Sequence, residues 1–183
     1  MKPLIASIRL VIVTLLICVA GYTALILGFA QLVTPGTAEG SLIKDTDGKI
    51  VGSHLIAQSF TNAVYFWPRP SAVGYNAAAA GGSNKSPTST NLTERARQLI
   101  EQYGASVEKP LPANLAAASG GGLDPHITEH AALYQANRVA KARNIPPSQV
   151  GMLIKQQAFA PGGALTPDRL VNVLELNLAL DNP

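Results

Sequence analysis

Leu10-Val11-Ile12-Val13-Thr14-Leu15-Leu16-Ile17-Cys18-Val19-Ala20-Gly21-Tyr22-Thr23-Ala24-Leu25-Ile26-Leu27-Gly28-Phe29-Ala30-Gln31-Leu32-Val33 divides this chain into its parts. None of these 24 residues is charged and 19 are apolar. A bilayer core of ~30 Å needs about 20 helical residues, so the run is long enough to span one. Gly21 and Gly28 do not argue against this, because membrane helices carry more glycine than soluble ones. A cleaved signal peptide has an apolar core of only about 7–15 residues and a small-residue cleavage site. This run is longer, and no such site follows it. Leu15-Leu16-Ile17-Cys18 resembles a lipoprotein box, but Ile17 is too large and the apolar run continues past Cys18. Cys18 is the only cysteine of the 183 residues, so no disulfide forms within one chain.

Lys2, Arg9 and the N-terminal amine precede the run, whereas Lys44 is the only cation among residues 34–48, beside Glu39, Asp45 and Asp47. Cytoplasmic flanks are enriched in Lys and Arg. The expectation is therefore a cytoplasmic N-terminus (1–9), a transmembrane helix (10–33) and an extracytoplasmic, periplasmic domain (34–183) in the inner membrane. No second long apolar run exists, which excludes a polytopic transporter. The apolar excess belongs to the anchor, but the shortage of charge does not: residues 34–183 hold 23 charged residues, or 15%, against about 25% for an average soluble domain. The net charge of +3 includes Lys2 and Arg9, and no basic stripe follows, which excludes a nucleic-acid partner.

Beyond the anchor the local signals describe one helix-rich α+β domain. Pro35-Gly36 ends the membrane helix. Leu42-Ile43 and Ile50-Val51 flank Asp47-Gly48, a hairpin turn. Asp45-Thr46-Asp47-Gly48 lacks the Lys of a phosphorylated D-K-T-G-T motif, and its Gly comes two positions early for an EF-hand loop. Ser53–Phe60 reads as a short helix. Leu92–Tyr103 is an amphipathic helix with Gly104 at its C-terminus. Asp124-Pro125 reads as the start of a helix that runs to Arg143, with Arg138, Lys141 and Arg143 suiting its dipole. Ser148–Gln156 is another helix. In Thr166–Asp181 two periods overlap. Leu174, Leu176, Leu178 and Leu180 alternate as in a strand, while Leu170, Leu174 and Leu178 make a helical stripe starting from Thr166-Pro167-Asp168; helix is expected.

Three segments carry candidate chemistry. Between Phe60 and Tyr75 lie five aromatics in a proline-restricted path, and Phe66, Trp67, Arg69, Pro70, Tyr75 and Asn76 are candidate partner contacts, set against a segment that buries its rings. Gly81-Gly82-Ser83-Asn84-Lys85-Ser86 invites comparison with a phosphate loop, but G-x-x-x-x-G-K-[ST] fails at Ala79 and Asn84. His126-Ile127-Thr128-Glu129-His130 fits H-x-x-E-H; with no third ligand evident, no metal is expected.

Longer stretches resemble a known family. They are Gly52–Phe60, Tyr65-Phe66-Trp67-Pro68-Arg69-Pro70-Ser71-Ala72 with Tyr75-Asn76, Gly81-Gly82-Ser83-Asn84, Ala118–Ile127, Arg138-Val139-Ala140 and Val171–Asp181. In order, and after an anchor, they resemble the C subunit of the bacterial Kdp potassium-transporting P-type ATPase. Departures are Lys85-Ser86-Pro87 where the family has Leu-Gly-Pro, Gln157-Ala158 where it often has His-Thr, and His130, which lies outside the pattern. The resemblance implies a non-catalytic subunit of a pump, working with a channel-like potassium-binding subunit, an ATP-hydrolysing subunit and a small membrane peptide. The complex uses ATP, Mg and potassium; this chain is expected to bind no cofactor itself. The family's C subunit has also been described as a catalytic chaperone that raises ATP affinity. Direct nucleotide contact would fall to Gly81, Gly82, Ser83, Asn84, Ser119, Gly120, Gly121 and Gly122. The expected topology opposes that role, because it places these loops across the membrane from ATP. A periplasmic cap on the potassium-binding subunit, acting on ATP allosterically, is the preferred expectation.

Overall fold

The computed structural model describes residues 2–45 and 47–181, without the side chain of Ala164. The N-terminal amine, Thr46 of the hairpin turn and the last two residues of the 34–183 domain fall outside the described residues. The chain forms two units that divide between Val51 and Gly52.

In the first unit, α1 (Lys2–Leu15) continues through a π-helical segment (Leu16–Gly21) into α2 (Tyr22–Val33). The whole is one helix of 32 residues, Lys2–Val33, about 48 Å long at ~1.5 Å per residue. It therefore begins before Leu10 and includes Arg9. In lipid every polar group needs an internal partner, and two of the hydroxyls of this helix have one. Ser7 donates to Pro3 O (3.0 Å) and Thr14 to Leu10 O (2.8 Å). In the π-helical segment the Tyr22 N–H reaches Ile17 O, five residues back. The helix ends at Thr34, and Pro35 then opens a single turn, α3 (Pro35–Ala38). Strands β1 (Leu42–Lys44) and β2 (Ile50–Ser53) pair as the hairpin. Gly48 takes the left-handed conformation (φ +77°) that the turn requires.

The second unit is built on α6 (Glu129–Arg143), α7 (Pro147–Gln157) and α8 (Val173–Asp181) around a two-stranded antiparallel sheet. Strands β3 (His126–Thr128) and β4 (Leu170–Asn172) pair His126 with Asn172, Ile127 with Val171 and Thr128 with Leu170. Ile127 and Val171 turn inward and are fully buried. They join Phe66, Leu115, Val139, Val150, Ile154 and Leu176 in one core. Two further helices lie earlier in the unit: α4 (Thr90–Tyr103), closed by left-handed Gly104, and the turn α5 (Ala113–Ala116).

Three sequence expectations are corrected here. Ser53–Phe60 is not helical: the Ser53 hydroxyl accepts from Leu55 N–H, and Ala57 N–H bonds to distant Leu123 O at 2.8 Å. Asp124-Pro125 does not start a helix. The Asp124 carboxylate accepts from the His126 N–H (3.0 Å), residues 126–128 join the sheet, and α6 begins only at Glu129. Its N-cap is Thr128, whose Oγ1 accepts from Ala131 N–H at 3.1 Å. Losing a Thr cap costs about 1 kcal/mol, so Thr128→Ala is expected to lower unfolding stability by about that much in urea titrations. Thr166–Asp181 divides between the two readings. Leu170 pairs with Phe159 and Thr128, and the helix starts at Val173 after Asn172, whose Oδ1 accepts from Leu174 N–H at 3.0 Å.

Candidate functional site

The proline-restricted path lies along α6 and α8, where side chains replace the sheet partners that prolines deny it. Asn177, 2% exposed, accepts from Phe66 N–H (2.8 Å) and donates to Phe66 O (3.0 Å). Gln135 does the same for the next residue, accepting from Trp67 N–H (2.9 Å) and donating to Trp67 O (3.1 Å). Each carboxamide has one acceptor and one donor face, so it matches a peptide group as a neighbouring strand would.

Two guanidiniums complete the clamp. Arg138 donates to Ala63 O (2.7 Å), Tyr65 O (3.0 Å) and Gln135 Oε1 (2.7 Å), and stacks 3.7 Å over the Trp67 ring. Burial pulls its pKa down to about 10, which leaves it charged at neutral pH. Arg143 donates to Val64 O (2.7 Å), Leu180 O (2.9 Å) and Asp181 Oδ1 (2.7 Å). The Tyr65 hydroxyl donates to Asp181 Oδ2 at 3.0 Å, and that bond, with burial, raises its pKa. Tyr103 on α4 meets Trp67 edge-on at 5.2 Å, and burial lifts its hydroxyl pKa well above the usual tyrosine range.

Past Pro68 the chain turns to serve two loops. Arg69 donates to Ala117 O (3.4 Å), Ala118 O (3.3 Å) and Asp124 Oδ2 (3.2 Å). Burial works to raise the Asp124 pKa, but hydrogen bonds from the His126 ring and N–H, and the Arg69 charge, outweigh it and lower the value. The Ser71 hydroxyl donates to Gly122 O (2.6 Å) and accepts from Tyr75 N–H (2.9 Å). Tyr75 holds a left-handed backbone (φ +60°), and its hydroxyl donates to Arg69 O at 2.9 Å. Gly81 N–H donates to Gly121 O at 2.9 Å. The two glycine loops, Gly81–Asn84 and Ser119–Gly122, therefore meet.

Of the six aromatic-segment residues, Phe66 is fully buried and belongs to the core, so it presents no surface. Trp67, Arg69, Pro70 and Tyr75 are half-buried and Asn76 is exposed. The H-x-x-E-H reading loses its premise, because His126 is on a strand and His130 on a helix. His126 Nδ1 is 3.0 Å from Asp124 Oδ1 and its ring meets Phe159 edge-on. Among the described residues no group of three or more His, Cys, Asp or Glu is placed to hold a metal. Sequence reading missed the four clamping side chains. It treated Arg138 and Arg143 as dipole partners and passed over Gln135 and Asn177; the signal was Asn177 set between Leu176 and Leu178.

The architecture is thus a spanning-length helix followed by a small domain whose paired glycine loops sit beside a clamped aromatic segment. The family model described as K+-transporting ATPase, c chain (KdpC), matches residues 4–182. The chain belongs to the KdpC family. The potassium-transporting ATPase KdpC subunit of Parvibaculum lavamentivorans is 64% identical over 181 residues, covering 99% of this chain and 97% of that one. Those of Burkholderia orbicola and Myxococcus xanthus are 44% and 42% identical, covering 99% and 97% of this chain and 97% and 86% of theirs. Membership makes this chain a subunit of a larger ATPase complex. The stretches quoted for the resemblance include Arg138 and Asn177 of the clamp and both glycine loops, but not Gln135 or Arg143.

Proposed function

We propose that this chain is a non-catalytic accessory subunit of an ATP-driven, high-affinity potassium uptake pump, supporting assembly and function of the potassium-binding and ATP-hydrolysing subunits. The observation that carries the reading is the family match across residues 4–182. The helix Lys2–Val33 supplies the anchor in the inner membrane. Lys2 and Arg9 favour a cytoplasmic N-terminus, and the remaining domain is periplasmic. It caps the channel-like potassium-binding subunit through the anchor and through Trp67, Pro70, Tyr75 and Asn76. It holds no cofactor of its own: ATP and Mg belong to the hydrolysing subunit and potassium to the channel-like one. Its influence on ATP is allosteric.

Topology is the direct test. Ser148 is exposed at the start of α7. In a Cys18→Ser background, Ser148→Cys is expected to react with a membrane-impermeant maleimide in intact spheroplasts. Reaction only in inverted vesicles would end the periplasmic reading. A second reading, a catalytic chaperone that touches nucleotide, draws on the meeting of Gly81–Asn84 with Ser119–Gly122. Crosslinking of a photoactivatable ATP analogue to these loops in the intact complex would favour it.

A further inference from the structure

The hairpin β1–β2 has no core of its own. Among the described residues of the first unit, which runs to Val51, none is buried. A lone two-stranded hairpin is marginal in water at best. Leu42 (43% exposed), Lys44 and Ile50 (54% exposed) form an outward set, while Ile43 and Val51, which alternate with them along the strands, are half-buried. The hairpin therefore needs surroundings that accept Leu42 and Ile50.

Chain connectivity says where those surroundings are. From the helix end to β1 the backbone is wound in consecutive hydrogen bonds. Thr34 N–H donates to Ala30 O (2.8 Å), Ala38 N–H to Thr34 O (3.0 Å), Glu39 N–H to Pro35 O (2.9 Å) and Ser41 N–H to Gly36 O (2.8 Å). At the ~1.5 Å per residue of helical winding, residues 34–41 advance the chain by roughly 12 Å. The headgroup layer is about 5–8 Å deep on each side of the ~30 Å hydrocarbon core. On so short a link the hairpin stays at the bilayer surface where Val33 leaves the hydrocarbon.

The side chains agree with that place. Asp45 Oδ1 accepts from Asp47 N–H (3.0 Å) and Lys49 N–H (2.9 Å), so this carboxylate serves its own turn. Asp47 stands at the turn, the end of the hairpin away from Leu42. Lys44 has no ion pair among the described residues and shares the outward set with Leu42 and Ile50. The set has no aromatic residue and one lysine, whereas protein interfaces are enriched in aromatics and depleted of lysine. Aliphatic side chains beside a lysine suit lipid instead. The aliphatic groups enter the headgroup boundary and the ammonium reaches lipid phosphates.

We propose that Leu42, Lys44 and Ile50 form an interfacial anchor, which lays the hairpin on the anionic headgroup layer of the membrane that Lys2–Val33 spans. The inference rests on the membrane-anchor reading of that helix, and holds whichever side of the membrane the domain occupies.

The test uses spin labels on the full chain and on the whole pump, in vesicles of phosphatidylcholine and phosphatidylglycerol. In a Cys18→Ser background, Leu42→Cys and Asp47→Cys each carry a nitroxide. Relaxation by oxygen, which collects in lipid, is compared with relaxation by a water-soluble nickel chelate. The oxygen-to-nickel ratio is expected to be about threefold higher at position 42 than at position 47, in chain and pump alike, as for a group held in the headgroup boundary. Lys44→Glu is expected to lower the ratio at position 42 about twofold in these anionic vesicles. Equal, water-like ratios at the two positions overturn the interfacial anchor. A label at position 42 that is shielded from both reagents in the pump overturns it in favour of a partner-subunit contact. A ratio indifferent to Lys44→Glu overturns the selection of anionic lipid. A chain that does not float with the vesicles overturns the membrane-anchor reading itself, and the interfacial anchor with it.

Discussion

Asn177→Leu is expected to lower the unfolding free energy by about 3 kcal/mol, although Asn and Leu differ little in size. Leu is usually welcome in a core, and here it would gain about 1 kcal/mol of burial over an amide. The loss is larger because Asn177 alone serves both polar groups of Phe66, through bonds of 2.8 and 3.0 Å. Phe66 is fully buried, so water cannot replace them. Each buried backbone group left unpaired costs about 1–3 kcal/mol. Asn177→Asp separates the two halves of the bond. The carboxylate still accepts from Phe66 N–H but cannot donate to Phe66 O, and it places a charge in the core. It is expected to be no milder than Leu at neutral pH. The readout is urea unfolding of the detergent-solubilised chain followed by Trp67, the only tryptophan of the sequence, which adjoins Phe66 and stacks against Arg138. A loss below about 1 kcal/mol would mean that the path of residues 64–70 does not depend on this amide.

Gly122→Ala is expected to cost about 3 kcal/mol, while Gly120→Ala and Gly121→Ala each stay within about 0.5 kcal/mol. The three glycines are consecutive and indistinguishable by local pattern. Gly122 has φ +70°, which costs an L-residue roughly 1–2 kcal/mol. Its added Cβ would also stand 2.7 Å from Val73 Cγ2, 2.9 Å from Gly81 O and 3.2 Å from Ser71 Oγ. Two of those atoms belong to well-held groups, so relief requires the loops to part, with an overpacking cost of about 1–3 kcal/mol. The same denaturation assay ranks the three variants. Equal effects at all three positions would contradict the contact between Gly81 and Gly122.

These contrasts show where sequence was informative. The hairpin at Asp47-Gly48, the amphipathic α4 with Gly104 and α7, expected over Ser148–Gln156 and found over Pro147–Gln157, are written in neighbouring residues, and the structure contains them. Counted from cap to cap, α6 and α8 start four and six residues later than expected. At both, good capping residues, Asp124 and Thr166, stand before a segment that the β3–β4 pairing takes instead. Local propensity is worth about 1 kcal/mol at a cap; burying Ile127 and Val171 against the core is worth more, about 1.5–3 kcal/mol for each side chain. The candidate site was legible as two sets of residues, the aromatic path and the glycine loops, but not as one neighbourhood.

The amino-acid sequence alone determined that the chain has an N-terminal helix long and apolar enough to span a bilayer, because length and apolarity can both be counted along the chain. It also determined the family, through long stretches that match in order. Only the tertiary structure decided which residues hold the aromatic path and which glycines are obligatory. The reason is distance along the chain. Asn177 serves a residue 111 positions away and Gln135 one 68 positions away. No local pattern encodes such a partner; it exists only once helix packing has brought a donor and an acceptor face to the same peptide group.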